Sequence, residues 1–346
     1  FWNEGRAVKT RKDLNQGAKQ CVSAEAGKID NANDGKLIHI SGKATASGTL
    51  TDEQFAVSVE ALKLKRKVEM YQWKENADTK TEKKLGGKEV KTTKYSYEKV
   101  WAEGRFDSGQ FKDPKAPDNP SVAIKSETWS AQPITVGAFT LSPELTQKIN
   151  NFTAYAAPRP EAELTPIDGR KVQFNNGRYY LGDNPATPVI GDVRVSFLTA
   201  MPTDVSVVAQ QQGDSFVAFT GDAGTTINML QVGTHTAAAM FESAQQSNKV
   251  MTWILRLVGF VVMFIGFTLV FKPLSVVADV LPIAGDIVGV GTGIVAFLLA
   301  APLSLITIAV AWIFYRPLVG IPLLVLAGVG IFFLVKKIVA SRKARV

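Results

Sequence analysis

The chain has 346 residues, 39 Lys and Arg against 31 Asp and Glu, and a net charge of +8. Residues 1–249 are polar, whereas Val250 to Val346 is almost continuously apolar and holds eight bases and two acids, six of the eight net charges. The basic excess therefore sits at membrane edges, which argues against nucleic-acid binding. With one cysteine (Cys21) and two histidines (His39, His235), no intrachain disulfide can form and no zinc or other cofactor site is expected.

In chain order, Phe1-Trp2 has the aromatic character of an interfacial helix end and reads as the tail of a preceding transmembrane helix. Residues 3–249 read as a soluble, strand-rich α+β domain of one or two related lobes. A strand is predicted at 37–42. In 61-ALKLKRKVEMYQW-73, Leu62, Leu64, Val68 and Met70 alternate with Lys63, Lys65, Lys67 and Glu69, so one face is buried, with Arg66 interrupting it. A polar stretch with Gly86-Gly87 as its turn follows, and 92-TTKYSYEKVW-101 alternates again. The pair forms a long hairpin carrying Glu69 and a ladder of Tyr71, Trp73, Tyr95, Tyr97 and Trp101, offered as a partner-binding surface.

Further strands are expected at 134–141, 192–200, 204–212 and 215–220. Two short helices are predicted: Ser142 to Ile149, with Ser142 as N-cap and Pro143 in its first position, and Ala237 to Asn248, leading into the apolar region.

Three segments are long and apolar enough to cross a bilayer, which takes about 20 residues each: 250–271, 288–314 and 318–335. Residues 272–287, too short and polar to cross, read as an interfacial or re-entrant segment. The tail 336-KKIVASRKARV-346 is the densest basic cluster, so the positive-inside rule places it in the cytoplasm. Counting back through three spans puts residues 3–249 on the extracytoplasmic side. Arg256, Arg316, Lys336 and Lys337 are expected to anchor at the interface, Arg256 either by snorkelling or by pairing with a lipid phosphate or a carboxylate from the soluble domain.

Gly285, Gly289 and Gly293 recur every four residues, two overlapping G-x-x-x-G units that let a second helix approach closely. The run 289-GVGTG-293 is not a nucleotide loop, because a membrane span follows it in place of a βαβ unit. Asp279 and Asp286 flank Pro282 near the membrane edge, either as helix caps or as an ion or proton site. No catalytic motif is present, and acid pairs such as Asp52-Glu53 and Glu161-Glu163 read as solvated surface.

The segments 3-NEGRAVKT-10, 62-LKLKRKVEMYQW-73, 94-KYSYEKVW-101, 191-GDVRVSF-197, 253-WILRLVGF-260 and 312-WIFYRPL-318 resemble, in order and spacing, the LUMA (transmembrane protein 43) family. The sequence departs from animal members at 102–130 and in its glycine-rich 285–293 run, as a bacterial or otherwise divergent member would. The resemblance implies four spans, the first preceding "NEGR", and a large lumenal or extracytoplasmic domain. It further implies an endoplasmic reticulum or nuclear envelope location in eukaryotes, a bacterial inner membrane otherwise, self-association, and in animals binding of emerin and lamins. Residues and resemblance together lead to a non-enzymatic scaffold that meets lipid, itself and other membrane proteins. The competing reading is an ion channel or transporter with 274–293 as its pore element.

Overall fold

In the computed structural model, the described residues are 1–83, 89–160, 164–175, 177–278, 284–318 and 321–322. Two seven-stranded sheets form the framework of residues 22–232. In the first, Leu37–Ala46 lies between Thr203–Gln212 and Ile134–Val136, antiparallel to both, with Ser41 opposite Ser206 and Ala44 opposite Val136. In the second, Lys63–Lys83 lies between Val193–Ala200 and Glu89–Glu103, so that Met70 meets Val193 and Tyr71 meets Trp101.

Each sheet has its own core, and the 62–64 segment feeds both. Leu62 packs with Ile40, Val136, Phe139, Val205 and Val207, while Leu64 packs with Phe55, Val68, Tyr179, Val195 and Phe197. The expected inner face of the hairpin strand is thus buried, Arg66 included. Its guanidinium pairs with Asp52 at 2.8 Å and Glu127 at 3.2 Å and lies over the rings of Phe55 and Trp129. Asp52, expected on the solvated surface, is instead buried as the counter-charge that lets an arginine occupy a core position. Glu161 and Glu163 lie outside the described residues.

Four helices complete the described fold: α1 (Trp2–Gln20), α2 (Pro143–Gln147), α3 (Ala237–Ala278) and α4 (Ala284–Tyr315). The Ser142 hydroxyl caps α2 by accepting from the Leu145 amide. Helix α3 has 42 residues, about 63 Å at 1.5 Å per residue, twice the hydrocarbon thickness of about 30 Å. Its first turns therefore belong to the domain: Met240 and Phe241 are buried with Leu14 of α1, Leu37, Val208 and Ile227 in a third core cluster. Beyond Lys249, Val250, Ile254, Leu257 and Val262 are exposed.

Helix α4 returns antiparallel, with Ala296, Ala300 and Ala311 fully buried and Phe297 edge-on to Phe260 of α3. The segment 272–287 is helical at 272–278 and again from Ala284. Most of the 318–335 span and all of the tail lie outside the described residues.

Candidate functional site where the domain meets the membrane helices

Helix α1 runs antiparallel to α3 and wedges its first two turns between α3 and α4. What it inserts is polar. Glu4, only 2% exposed, receives a two-pronged ion pair from Arg256 of α3, Nε donating to Oε1 at 2.7 Å and Nη2 to Oε2 at 2.8 Å. The indole N–H of Trp312 on α4 donates to the same Oε2 at 2.9 Å. The Arg256 guanidinium lies 4.7 Å from the Trp253 ring and 5.5 Å from that of Trp312. Such a fork between aromatic faces supplies both direction and energy to a charge withdrawn from water. Burial alone would raise the Glu4 carboxyl, but the hydrogen bonds from Arg256 and Trp312 and their positive surroundings hold it below its ordinary value.

A polar ladder extends this contact along α1. Arg6 donates to Asn248 Oδ1, Asn3 Oδ1 and Thr252 Oγ1, and Asn248 Nδ2 donates to the Ala7 carbonyl. At its far end the buried Asp13 carboxylate accepts from the amides of Ala223 and Thr225, both at 2.7 Å, tying α1 to the 221–225 turn. Gly5 is where α1 and α4 touch: an added Cβ would lie 2.6 Å from Cζ of Tyr315. Phe1 continues the contact, its ring centroid 5.3 Å from that of Tyr315.

Beside this junction lies a pocket of about 120 Å³ bordered by Arg11, Lys249, Arg256 and Arg316. Two larger clefts, of about 430 and 480 Å³, flank the second sheet near Met70 and Arg194. His39 and His235, 196 positions apart in sequence, meet where His39 Nε2 lies 2.8 Å from the His235 carbonyl, beside Ser41 and Ser206. Among the described residues no three His, Cys, Asp or Glu side chains form a metal-binding group.

The sequence profile of the family described as Transmembrane protein 43 matches residues 70–317. Transmembrane protein 43 of Mus musculus is 36% identical over 330 residues, 92% of this chain and 81% of the mouse protein. The chain belongs to the transmembrane protein 43 family. The Homo sapiens protein is 34% identical over the same shares, and the Drosophila melanogaster homolog 28% over 95% of this chain and 88% of its own length. No solved structure matches. As a member of the transmembrane protein 43 family this chain is a membrane protein, and Ala237–Phe271 and Gly293–Tyr315 are its candidate spans among the described residues.

Three of the six segments that carry the family resemblance converge at this junction. Asn3, Glu4 and Arg6 come from the first, Trp253 and Arg256 from "WILRLVGF", and Trp312, Tyr315 and Arg316 from "WIFYRPL". Of the expected anchors, Arg256 takes a carboxylate from the domain, and Arg316 lies 6.0 Å from the Trp312 ring. Lys336, Lys337 and Asp279 lie outside the described residues, as do the side chain of Asp286 and the surroundings of Gly285 and Gly289. A Cβ on Gly293 meets nothing within 4 Å among the described residues.

The hairpin residues are half-buried and already engaged. Tyr71 packs on Trp101 at 5.2 Å, Lys99 lies over Trp73, Tyr97 donates to Glu75, and Glu69 accepts from Arg194 at 2.9 Å. Tyr95 stands opposite Ala77 toward the tip. Glu4 and the whole of α1 were missed by sequence reasoning. The signal was Arg256, a cation inside an apolar run for which a carboxylate from the domain was one expected partner; the sequence did not say which carboxylate.

Proposed function

We propose that this chain is a non-enzymatic integral membrane scaffold that self-associates and organises membrane protein complexes or membrane structure. Residues 3–249 would stand on the extracytoplasmic side, in the periplasm or in the lumen of the endoplasmic reticulum or nuclear envelope, and the 336–346 tail in the cytoplasm. The observation that carries this reading is the α1 wedge. A buried ion pair, a polar ladder and a shared apolar cluster make the domain and its spans one mechanical unit, which suits a protein that transmits position between membrane and lumen.

Two further features support association. Among the described residues nothing lies within 4 Å of a Cβ built on Gly293, and a glycine at this position suits close approach of another helix. The hairpin reaches far beyond its sheet, since its 21-residue strand is about 70 Å long at 3.3 Å per residue, and its outer half is exposed. Cross-linking and native gels of the purified chain in lipid nanodiscs test the reading: wild type should migrate as an oligomer and Gly289→Leu as smaller species. Liposomes holding wild type should pass ions no faster than protein-free liposomes. A flux that Asp279→Asn or Asp286→Asn lowers would instead favour an ion channel or transporter built on 274–293.

A further inference from the structure

We propose that the pocket bordered by Arg11, Lys249, Arg256 and Arg316 binds the phosphate headgroup of an anionic glycerophospholipid. Charge is the first argument. Four cations converge on about 120 Å³, and the carboxylate beside them, Glu4, has both oxygens taken by Arg256 and Trp312. Among the described residues no ion pair engages Arg11, Lys249 or Arg316. Arg316 is held below its usual pKa by burial first, with Glu4 opposing that shift and repulsion from Arg11 and Arg256 adding to it. An anion in the pocket would relieve that repulsion.

Depth is the second argument. Trp253 borders the pocket and is 67% exposed, and the exposed apolar surface of α3 runs on from it through Ile254 and Leu257. Tryptophan and arginine side by side at the end of an apolar span mark headgroup level, and the anion abundant there is lipid phosphate. Size agrees. Pockets for whole organic ligands measure roughly 300–1,000 Å³, so this one takes a headgroup phosphate and leaves acyl chains to lie along α3. A zwitterionic headgroup brings its own ammonium to a site already crowded with cations, so a net anionic lipid is favoured.

The pocket is built from α1, α3 and Arg316, the residue that follows α4, so an occupant would brace the junction. The proposal does not depend on self-association. Thermal unfolding of the full chain is measured in nanodiscs of dioleoylphosphatidylcholine with and without dioleoylphosphatidylglycerol, beside detergent samples given inorganic phosphate or glycerol 3-phosphate. Phosphatidylglycerol should raise the melting temperature, millimolar soluble phosphates should not, and Arg11→Gln/Arg316→Gln should weaken the lipid effect at least tenfold. That variant leaves the Glu4–Arg256 pair in place.

Equal stabilisation by both lipids overturns the proposal. A phosphatidylglycerol effect that survives in the double variant assigns the lipid to another cationic surface, such as the basic tail, and also overturns it. A matching shift with inorganic phosphate assigns the pocket to free phosphate and overturns the lipid assignment. A second measurement needs no variant: brominated phosphatidylglycerol should quench wild-type tryptophan fluorescence more than brominated phosphatidylcholine at the same mole fraction, and equal quenching counts as refutation.

Discussion

Neutralising Glu4 leaves the Arg256 guanidinium buried against two indoles without its counter-charge. Breaking a buried ion pair from one side costs about 3–5 kcal/mol, because the surviving charge has lost both water and partner. Glu4→Gln should lower stability by that much in denaturant-titrated unfolding in micelles, and Glu4→Leu/Arg256→Met should regain most of it. A loss in the double variant equal to that of Glu4→Gln would mean that packing, and not the pair, holds α1. The pair also sets an acid limit. The folded pKa of Glu4 lies below its reference value of 4.5. Its stabilisation is therefore full above the unfolded value and is lost as pH falls through the lower folded one. Stability should thus decline on acidification below about pH 4.5, and less steeply in Glu4→Gln. A residual slope should persist there, since Glu69 is lowered in the same direction: burial opposes that shift, and hydrogen bonds from Arg194 and Lys67 outweigh it.

At the scale of the element, α1 shows what periodicity can and cannot reveal. The strands expected at 37–42, 61–73, 192–200 and 204–212, the capped α2 and the start of α3 were legible: the second and third of these strands bury alternate residues, the first and last are short apolar runs, and Ser142 caps α2. The buried stripe of α1 is Glu4, Gly5, Ala7, Val8, Asp13, Leu14 and Gly17, with more acids and glycines than aliphatic side chains. Its partners are guanidinium, indole and backbone amide groups contributed from more than 200 residues away, so no local pattern announces the helix. Arg66 was likewise an unexplained interruption until tertiary structure supplied Asp52. The amides held by Asp13 give a test of α1 that does not touch the membrane end. Asp13→Ala should cost about 1–3 kcal/mol, the range for orphaning buried donors bound to a charged acceptor. It should also speed hydrogen exchange at residues 221–225 while leaving Leu37–Ala46 protected. Unchanged exchange at the turn would show that the carboxylate does not hold it.

At the scale of the whole molecule, orientation follows from α3 and α4, whose domain-proximal ends, near Arg256 and Arg316, meet at one level. The two candidate spans are therefore predicted to form a hairpin that leaves and returns to the side occupied by the strand domain. The basic tail lies one further expected span away, so domain and tail are predicted to face opposite compartments. Cysteine labelling decides this with little interference from Cys21, because burial pushes its thiol up to about 11 and keeps thiolate scarce at neutral pH. Glu242→Cys, on an exposed position of α3, should react with an impermeant maleimide added to the extracytoplasmic face of sealed vesicles, and Ser341→Cys only after permeabilisation. Labelling of both from one face would require an even number of crossings between them, and would move the 318–335 segment out of the membrane. Labelling of Glu242→Cys only from the cytoplasmic face would invert the molecule, and the positive-inside reading of the tail would fail with it.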